Sequence, residues 1–160
     1  MIGGGHDLLV ISGGASVGDH DVVGDVLAQA GMTRDFWKVA MRPGKPLMFG
    51  RLGTMPVLGL PGNPVSALVS AVLFLVPMLK ALSGLPAAPL PRTARLGRDL
   101  PANDERQDYL RAALVGDVAT PFVKQDSAVL SGFASADALV IRPPFAPAAE
   151  AGDAVDVITL

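Results

Sequence analysis

Apolar runs in the first half of the chain alternate with loops rich in glycine and proline. Residues 7–12 form a short apolar run that ends at Gly13 and Gly14, a pattern typical of a buried strand. Apolar residues then recur at helical spacing over 21–30, and Gly31 marks the end of this predicted helix. Three further strands are predicted at 35–41, 47–51 and 56–60.

The longest apolar stretch, residues 65–82, predicts a helix. Asn63 is a suitable N-cap for this helix, and Pro64 suits its first position because a proline N–H is not needed there. The stretch could also be a membrane span, but it is short for a bilayer and contains Pro77 and Lys80. We therefore expect a helix buried within the protein or an oligomer, and no membrane partner.

The second half of the chain has a different pattern. A proline-rich linker at 85–90 separates a predicted α/β domain over 1–84 from a small all-β, barrel-like domain over 91–160. On composition alone, the charged segment 105–111 and the segment 125–127 have structural roles. The predicted strands of this domain are at 92–98, 109–115, 120–123, 138–142 and 154–160.

The composition narrows the classes of function. A net charge of −2 without a Lys/Arg cluster argues against a nucleic-acid partner. The absence of cysteine excludes disulfides and thiolate metal sites, and only His6 and His20 are available for an imidazole zinc site. Residues 1–10 lack the basic start and long apolar stretch of a secretory signal, so we expect a cytoplasmic protein.

Three loops carry the candidate chemistry, and each one follows an apolar run. They span residues 12–21, 42–46 and 60–67. Glycine lets backbone N–H groups approach a ligand closely, and helix N-termini supply partial positive charge. Loops of this kind at one edge of an α/β sheet indicate a site for a phosphate-like anion.

The first loop has two interpretations. Gly13, Gly14, Ser16 and Gly18 form either an ordinary strand-to-helix turn or the floor of a site for a phosphate or a flat ring, with the Ser16 hydroxyl as a donor. The two acidic residues that follow also have two interpretations. Asp19 and Asp21 either cap the next helix or bind a divalent cation, and Mg²⁺ bridging substrate oxygens suits two carboxylates at this spacing.

The second and third loops offer cations and a helix start. Arg42 and Lys45 are presented by a proline-stiffened loop, either as plain surface cations or to meet an oxyanion. Gly62 and Asn63 have two interpretations. They either form only the cap of the following helix, or the N-terminus of that helix, with Ser66 in its first turn, faces an anion.

Taken together and in order, the strings SGGASVGDHD, FWKVAMRPGKPLMFG, GLPGNPVSA, DYLRA, QDSAVLS and ADALVIRPP resemble the molybdopterin molybdotransferase family, the group of MoeA and the gephyrin E-domain. The resemblance implies a MogA-like molybdopterin-binding α/β domain, represented here by its C-terminal half, and the MoeA C-terminal β-barrel domain. It also implies insertion of molybdate into adenylylated molybdopterin with Mg²⁺-dependent release of AMP, in a homodimer.

The resemblance assigns roles to individual residues. Asp21 and Lys45 are the implied catalytic residues, and Asp21 with Asp19 would hold Mg²⁺. A barrel arginine, Arg106 or alternatively Arg111, would approach the oxyanion. The implied substrate-binding residues are Gly13, Gly14, Ser16, Gly18, Arg42, Gly62, Asn63, Ser66, Arg106 and Ser127.

Family members are longer than this chain, and the additional part precedes Met1. The 160 residues alone are therefore expected to be inactive or weak, since part of the implied site is contributed by that preceding segment. Two alternatives follow: a fragment that binds molybdopterin or its nucleotide without turnover, and a scaffold module of the gephyrin type.

Overall fold

The computed structural model describes residues 5–13, 22–87, 91–126 and 130–160, which fall into two units. The first, here called the sheet unit, contains the described residues up to Val39 and those from Gly44 to Ala87. The second, the barrel unit, contains Ala40–Pro43 and the described residues from 91 onward. The predicted fold class, an α/β unit followed by an all-β unit, is confirmed.

A four-stranded mixed sheet forms the sheet unit. The elements are β1 Leu9–Ser12, α1 Val22–Gln29, β2 Met32–Trp37, β4 Met48–Leu52, β5 Met55–Leu60 and α2 Pro64–Leu82. The sheet order is β1-β5-β4-β2, with β1 parallel to β5 and the other two pairings antiparallel. Leu52, Gly53 and Thr54 lie at the turn that joins β4 to β5, as the sequence predicts.

The strand predicted at 35–41 was placed wrongly. The structure has β2 at Met32–Trp37 and a separate short strand, β3, at Met41–Arg42. β2 lies at the edge of the sheet, where polar residues such as Thr33 and Arg34 are tolerated, so the apolar pattern does not reveal its start. A β-bulge between Arg34 and Phe36 further breaks the alternation.

Helix α2 buries side chains fully in its first two turns only, although partly buried residues of its later turns also pack on the core. Val65, Ser66, Val69 and Ser70 are buried, and the chain then passes through a π-helical turn at Ala71–Leu75. The described residues of this chain therefore do not bury the helix on most sides. By length and composition α2 could cross a membrane, with mean hydropathy 2.2 and 22% of the stretch buried, but core helices of soluble proteins meet the same criterion.

The core of the sheet unit has two parts. One cluster is formed by Leu27 of α1 with Met48 and Val57 of the sheet. The other is formed by Leu47, Leu58 and Leu60, against which partly buried residues of α2 pack. Helices α1 and α2 therefore pack against different sets of residues on and beside the central strands β4 and β5.

Five strands of the barrel unit form a closed ring. The elements are β3 Met41–Arg42, β6 Arg92–Leu96, β7 Gln107–Val115, β8 Val118–Pro121, α3 Ser131–Ala134, β9 Ala138–Arg142 and β10 Ala154–Thr159. The pairings run β7-β8-β6-β10-β9 and return to β7, and β3 adds to β7 as a short parallel neighbour. The interior is filled by small residues, chiefly alanine and valine, as a narrow barrel requires.

The segment Ala40–Pro43 belongs to the barrel unit, although the sequence places it within the first domain. Met41 is buried, and β3 pairs with Gln107 and Asp108 at the start of β7. The N–H of Gln107 also donates to the Ala40 carbonyl at 2.9 Å. A two-residue strand with one apolar side chain gives no recognisable sequence pattern. The assignment of Ala40–Pro43 to the barrel unit therefore could not be predicted.

Candidate functional site

Two of the predicted loops meet at the carboxyl edge of the sheet. β1 and β5 are parallel neighbours, and Ser12 lies opposite Leu60. The N–H of Gly13 donates to the Leu60 carbonyl at 3.3 Å, and Gly13 has a φ of 83°, which favours glycine. A Cβ on Gly62 would lie 3.6 Å from the Cα of Gly13. The first and third loops are therefore adjacent, as the sequence predicts.

Helix α2 begins at this edge. The Asn63 side-chain oxygen accepts the N–H of Ser66 at 3.4 Å, and the Asn63 carbonyl accepts the N–H of Ala67 at 2.8 Å. Pro64 occupies the first helical position, and Ser66 is buried. The N-terminal end of a long helix, with its partial positive charge, therefore follows directly after Gly62.

Several candidate residues fall outside the described part of the chain. Gly14, Ser16, Gly18, Asp19 and Asp21 lie within 14–21, and Ser127 lies within 127–129. Their assigned roles stay predictions. The described residues include no group of three or more His, Asp or Glu side chains that could hold a metal ion.

The second loop carries one engaged and one unengaged cation. The Arg42 guanidinium donates to Asp104 Oδ2 at 3.1 Å and to Asp108 Oδ2. Lys45 is exposed, and its ammonium makes no hydrogen bond or ion pair with any described residue. Its backbone carbonyl accepts the N–H groups of Val39 and Leu47, which fixes the loop. Lys45 is therefore the cation that is available to an oxyanion.

Arg106 is paired with Asp104 at the start of the barrel. Its guanidinium donates to Asp104 Oδ2 at 2.8 Å, and its backbone N–H donates to Oδ1 at 3.0 Å. These two bonds from Arg106, the side-chain bond first, with the nearby charge of Arg42, lower the pKa of Asp104 from 3.8 to about 2. The same hydrogen bond raises the pKa of Arg106. Arg106 thus forms an ion pair with Asp104, two residues before it in the sequence.

Arg111, the alternative barrel arginine, lies in a different setting. It is only 2% exposed, and burial lowers its pKa. Its guanidinium donates to Gln125 Oε1 at 3.3 Å and to the Asp126 carbonyl at 3.0 Å, directly before Ser127. A Cβ on Gly132 would lie 3.2 Å from Nη1, so this glycine allows the close approach of α3. Arg111 therefore contacts Gln125 and Asp126, whereas Arg106 is paired with Asp104, and which of the two approaches an oxyanion stays a prediction.

Sequence reasoning missed the side-chain amides that hold the barrel rim together. Gln125 holds Arg111 through both amide atoms, and its Nε2 also donates to the Phe122 carbonyl. Asn103 Nδ2 donates to three carbonyls, those of Arg106, Arg142 and Pro143. Polar residues in irregular segments resemble ordinary surface loops, and only Gln125, in the string QDS, carried a signal.

Two protein families match the chain. The family described as "Probable molybdopterin binding domain" matches residues 2–81, which is half of the chain. The family described as "MoeA C-terminal region (domain IV)" matches residues 93–160. These two matches follow the change of pattern along the sequence.

Individual relatives carry names that fit these families. The molybdopterin molybdenumtransferase of Bacillus subtilis is 31% identical over 160 residues, covering 96% of this chain and 37% of the relative. That of Haemophilus influenzae is 47% identical over 78 residues, covering 49% of this chain and 19% of the relative. This chain thus spans well under half the length of these relatives.

A solved structure shows the same architecture. The molybdopterin biosynthesis moea protein from Pyrococcus horikosii superposes with a TM-score of 0.79 at 32% identity, over 97% of this chain and 37% of that one. The resemblance drawn from the ordered loops is confirmed by these findings. The chain belongs to the molybdopterin molybdotransferase family of MoeA and gephyrin, and it matches the C-terminal part of its longer relatives.

Proposed function

We propose that this chain acts in molybdenum cofactor biosynthesis, as part of the site that inserts molybdate into adenylylated molybdopterin with release of AMP. The observation that carries the proposal is the meeting of Gly13 and Gly62 at the start of α2. Gly13 and Gly62, which follow β1 and β5, carry no side chains. A phosphate or the flat pterin ring can therefore approach the N–H groups and the positive end of the helix.

Lys45 supplies the charge that molybdate requires. Molybdate is a dianion with four oxygens, and the Lys45 ammonium is exposed and unengaged among residues 22–87. We assign Lys45 to hold an oxyanion and to stabilise the charge that develops as the substrate reacts. Arg42, which is occupied by two carboxylates, contributes less to this role.

The finer parts of the proposal concern the metal and the assembly. Mg²⁺, when bound, would neutralise the phosphoanhydride next to AMP, and Asp19 and Asp21 are the residues assigned to hold it. Homodimerisation, a cytoplasmic location and the absence of nucleic-acid and membrane partners belong to the same proposal. They are supported by family membership and by the weak net charge of −2.

Binding without turnover is the second candidate function. The described residues provide backbone donors and the cation Lys45, but no acidic cluster for a metal ion. A chain with these groups alone would bind molybdopterin and leave the phosphoanhydride intact.

Variants of two lysines test the proposal. Lys45→Ala should weaken molybdate binding about tenfold or more in calorimetric titration, because one charge-assisted hydrogen bond is lost. Lys80→Ala removes an exposed lysine from the last turn of α2 and serves as the matched control. Equal molybdate affinity in both variants would contradict the assignment of Lys45.

Release of AMP separates the two candidate functions. Parent chain, adenylylated molybdopterin, Mg²⁺ and molybdate are incubated together, and AMP is followed by chromatography. AMP release that is reduced by Lys45→Ala supports the transferase. Saturable molybdopterin binding without AMP release by this chain supports the binding function.

A further inference from the structure

A cleft in the barrel unit has the composition of a ligand site that the proposed transferase chemistry does not use. It has a volume of about 420 Å³. Its lining includes three arginines, Arg42, Arg98 and Arg142, and one carboxylate, that of Asp108. Of these, only Arg42 has a role in the transferase proposal.

The three arginines differ in how their charges are balanced. Arg42 is neutralised by the carboxylates of Asp104 and Asp108. Arg98 is half-buried and forms no hydrogen bond or ion pair with any residue that the structure describes. Arg142 has no carboxylate partner in the same part of the chain. The cleft therefore carries two positive charges without a counter-ion from the described residues.

Of Arg98 and Arg142, Arg142 is the more deeply buried. It is only 7% exposed, and its Nη2 donates to the carbonyls of Pro101, at 3.2 Å, and Pro147. Its Nε and Nη1 donate to no described acceptor. A buried guanidinium that meets only carbonyl oxygens has lost much of its hydration without gaining an opposite charge. An anion in the cleft would supply that charge.

The remaining lining defines the rest of the ligand. Leu100, Leu110 and Phe122 give the cleft an apolar wall, which suits a hydrocarbon or aromatic group. Asp108 Oδ1 is buried and has no hydrogen-bond partner among the described residues. This oxygen can accept a hydrogen bond from a hydroxyl or amine of the ligand.

We propose that this cleft binds a small organic phosphate, with the phosphate group between Arg98 and Arg142 and an apolar body against Leu100, Leu110 and Phe122. Guanidinium groups match the geometry of phosphate oxygens and hold them with two parallel hydrogen bonds. The proposal stands apart from molybdate insertion, because Arg98 and Arg142 have no part in that chemistry.

The test uses phenyl phosphate as the probe and the whole 160-residue chain. Calorimetric titration should show saturable binding to the parent. Arg98→Gln should weaken it about tenfold or more, because a charge-assisted hydrogen bond is lost. Arg95→Gln is the matched control, since Arg95 lies three residues before Arg98, is 67% exposed at its side chain and does not line the cleft.

Two further measurements sharpen the assignment. Inorganic phosphate should bind more weakly than phenyl phosphate, because it lacks a group for the apolar wall. The NMR signal of the Arg142 side-chain Nε–H should shift on addition of phenyl phosphate in the parent chain, which avoids a variant that unfolds.

Three results would overturn the proposal. They are the absence of saturable binding at millimolar phenyl phosphate, equal affinities of Arg98→Gln and Arg95→Gln, and an Arg142 Nε–H signal that does not move.

Discussion

The barrel unit buries two arginine side chains, whereas helix α2 of the sheet unit exposes two leucines near its C-terminal end. Arg111 and Arg142 are 2% and 7% exposed, and each donates to acceptors of its own unit. In the sheet unit, Leu79 and Leu82 of α2 are 48% and 51% exposed. The barrel thus provides acceptors for both buried guanidinium groups, whereas the described residues of the sheet unit leave Leu79 and Leu82 largely uncovered.

Topology accounts for the difference. A closed barrel has no free edges, so every strand of the ring is paired on both sides. The sheet of the first unit is open, and β1 and β2 are its edges within the described residues. The free energy of unfolding should therefore depend strongly on the side chains inside the barrel. It should depend far less on exposed side chains of α2 such as Leu79 and Leu82.

The largest expected effect compares two leucines. Leu96→Ala empties a site in the barrel core where the side chain is 2% exposed, and it should lower the free energy of unfolding by about 2–5 kcal/mol. Leu79→Ala on the exposed face of α2 should change it by less than about 1 kcal/mol. Urea denaturation of each variant measures both values. Equal losses would show that the face of α2 is covered in solution.

A smaller effect is expected where β4 approaches the bulge of β2. A Cβ on Gly50 would lie 2.4 Å from the Thr33 carbonyl oxygen and 3.0 Å from the Arg34 Cα. Because backbone cannot move aside easily, Gly50→Ala should cost about 1–3 kcal/mol in urea denaturation.

Gly62→Ala is the control for this substitution. Its Cβ meets only the Gly13 Cα, at an ordinary 3.6 Å, so the stability should stay close to that of the parent. A stable Gly50→Ala variant would contradict the close approach of β2 and β4.

The smallest effect is a pH dependence at the barrel rim. The pKa of Asp104 is lowered from 3.8 to about 2, chiefly by the Arg106 hydrogen bond, so the carboxylate stabilises the fold above about pH 4. This contribution is lost as the pH falls from about 4 to 2. The stability gap between the parent and Asp104→Asn should therefore close over that range. A gap that stays constant down to pH 2 would be contrary to this pairing, and Arg106→Gln should behave like Asp104→Asn.

The sequence predicted the elements whose side chains follow a regular period. The helix start at Asn63 and Pro64 and the barrel strand at Ala138–Arg142 were placed correctly, because cap chemistry and apolar runs are local signals. The meeting of Gly13 and Gly62 also followed, since parallel strands bring their carboxyl ends to one edge.

What the sequence could not predict depends on contacts distant along the chain. The pairing of β3 with β7 joins residues more than sixty positions apart. It places the Arg42 guanidinium beside the carboxylates of Asp104 and Asp108. The burial of Arg111 depends on Gln125 and on the close approach of Gly132. Neither residue type nor spacing distinguishes these partners from surface residues.

The most direct test of the central claim is an NMR titration of the chain with molybdopterin, kept free of oxygen. If the carboxyl edge of the sheet is the site, the backbone N–H signals of Gly13, Gly62, Asn63 and Ser66 should shift together and saturate. Val157, buried in the barrel core, should keep its signal unchanged and serves as the internal reference. Shifts confined to other parts of the chain, with these four signals unmoved, would contradict the account.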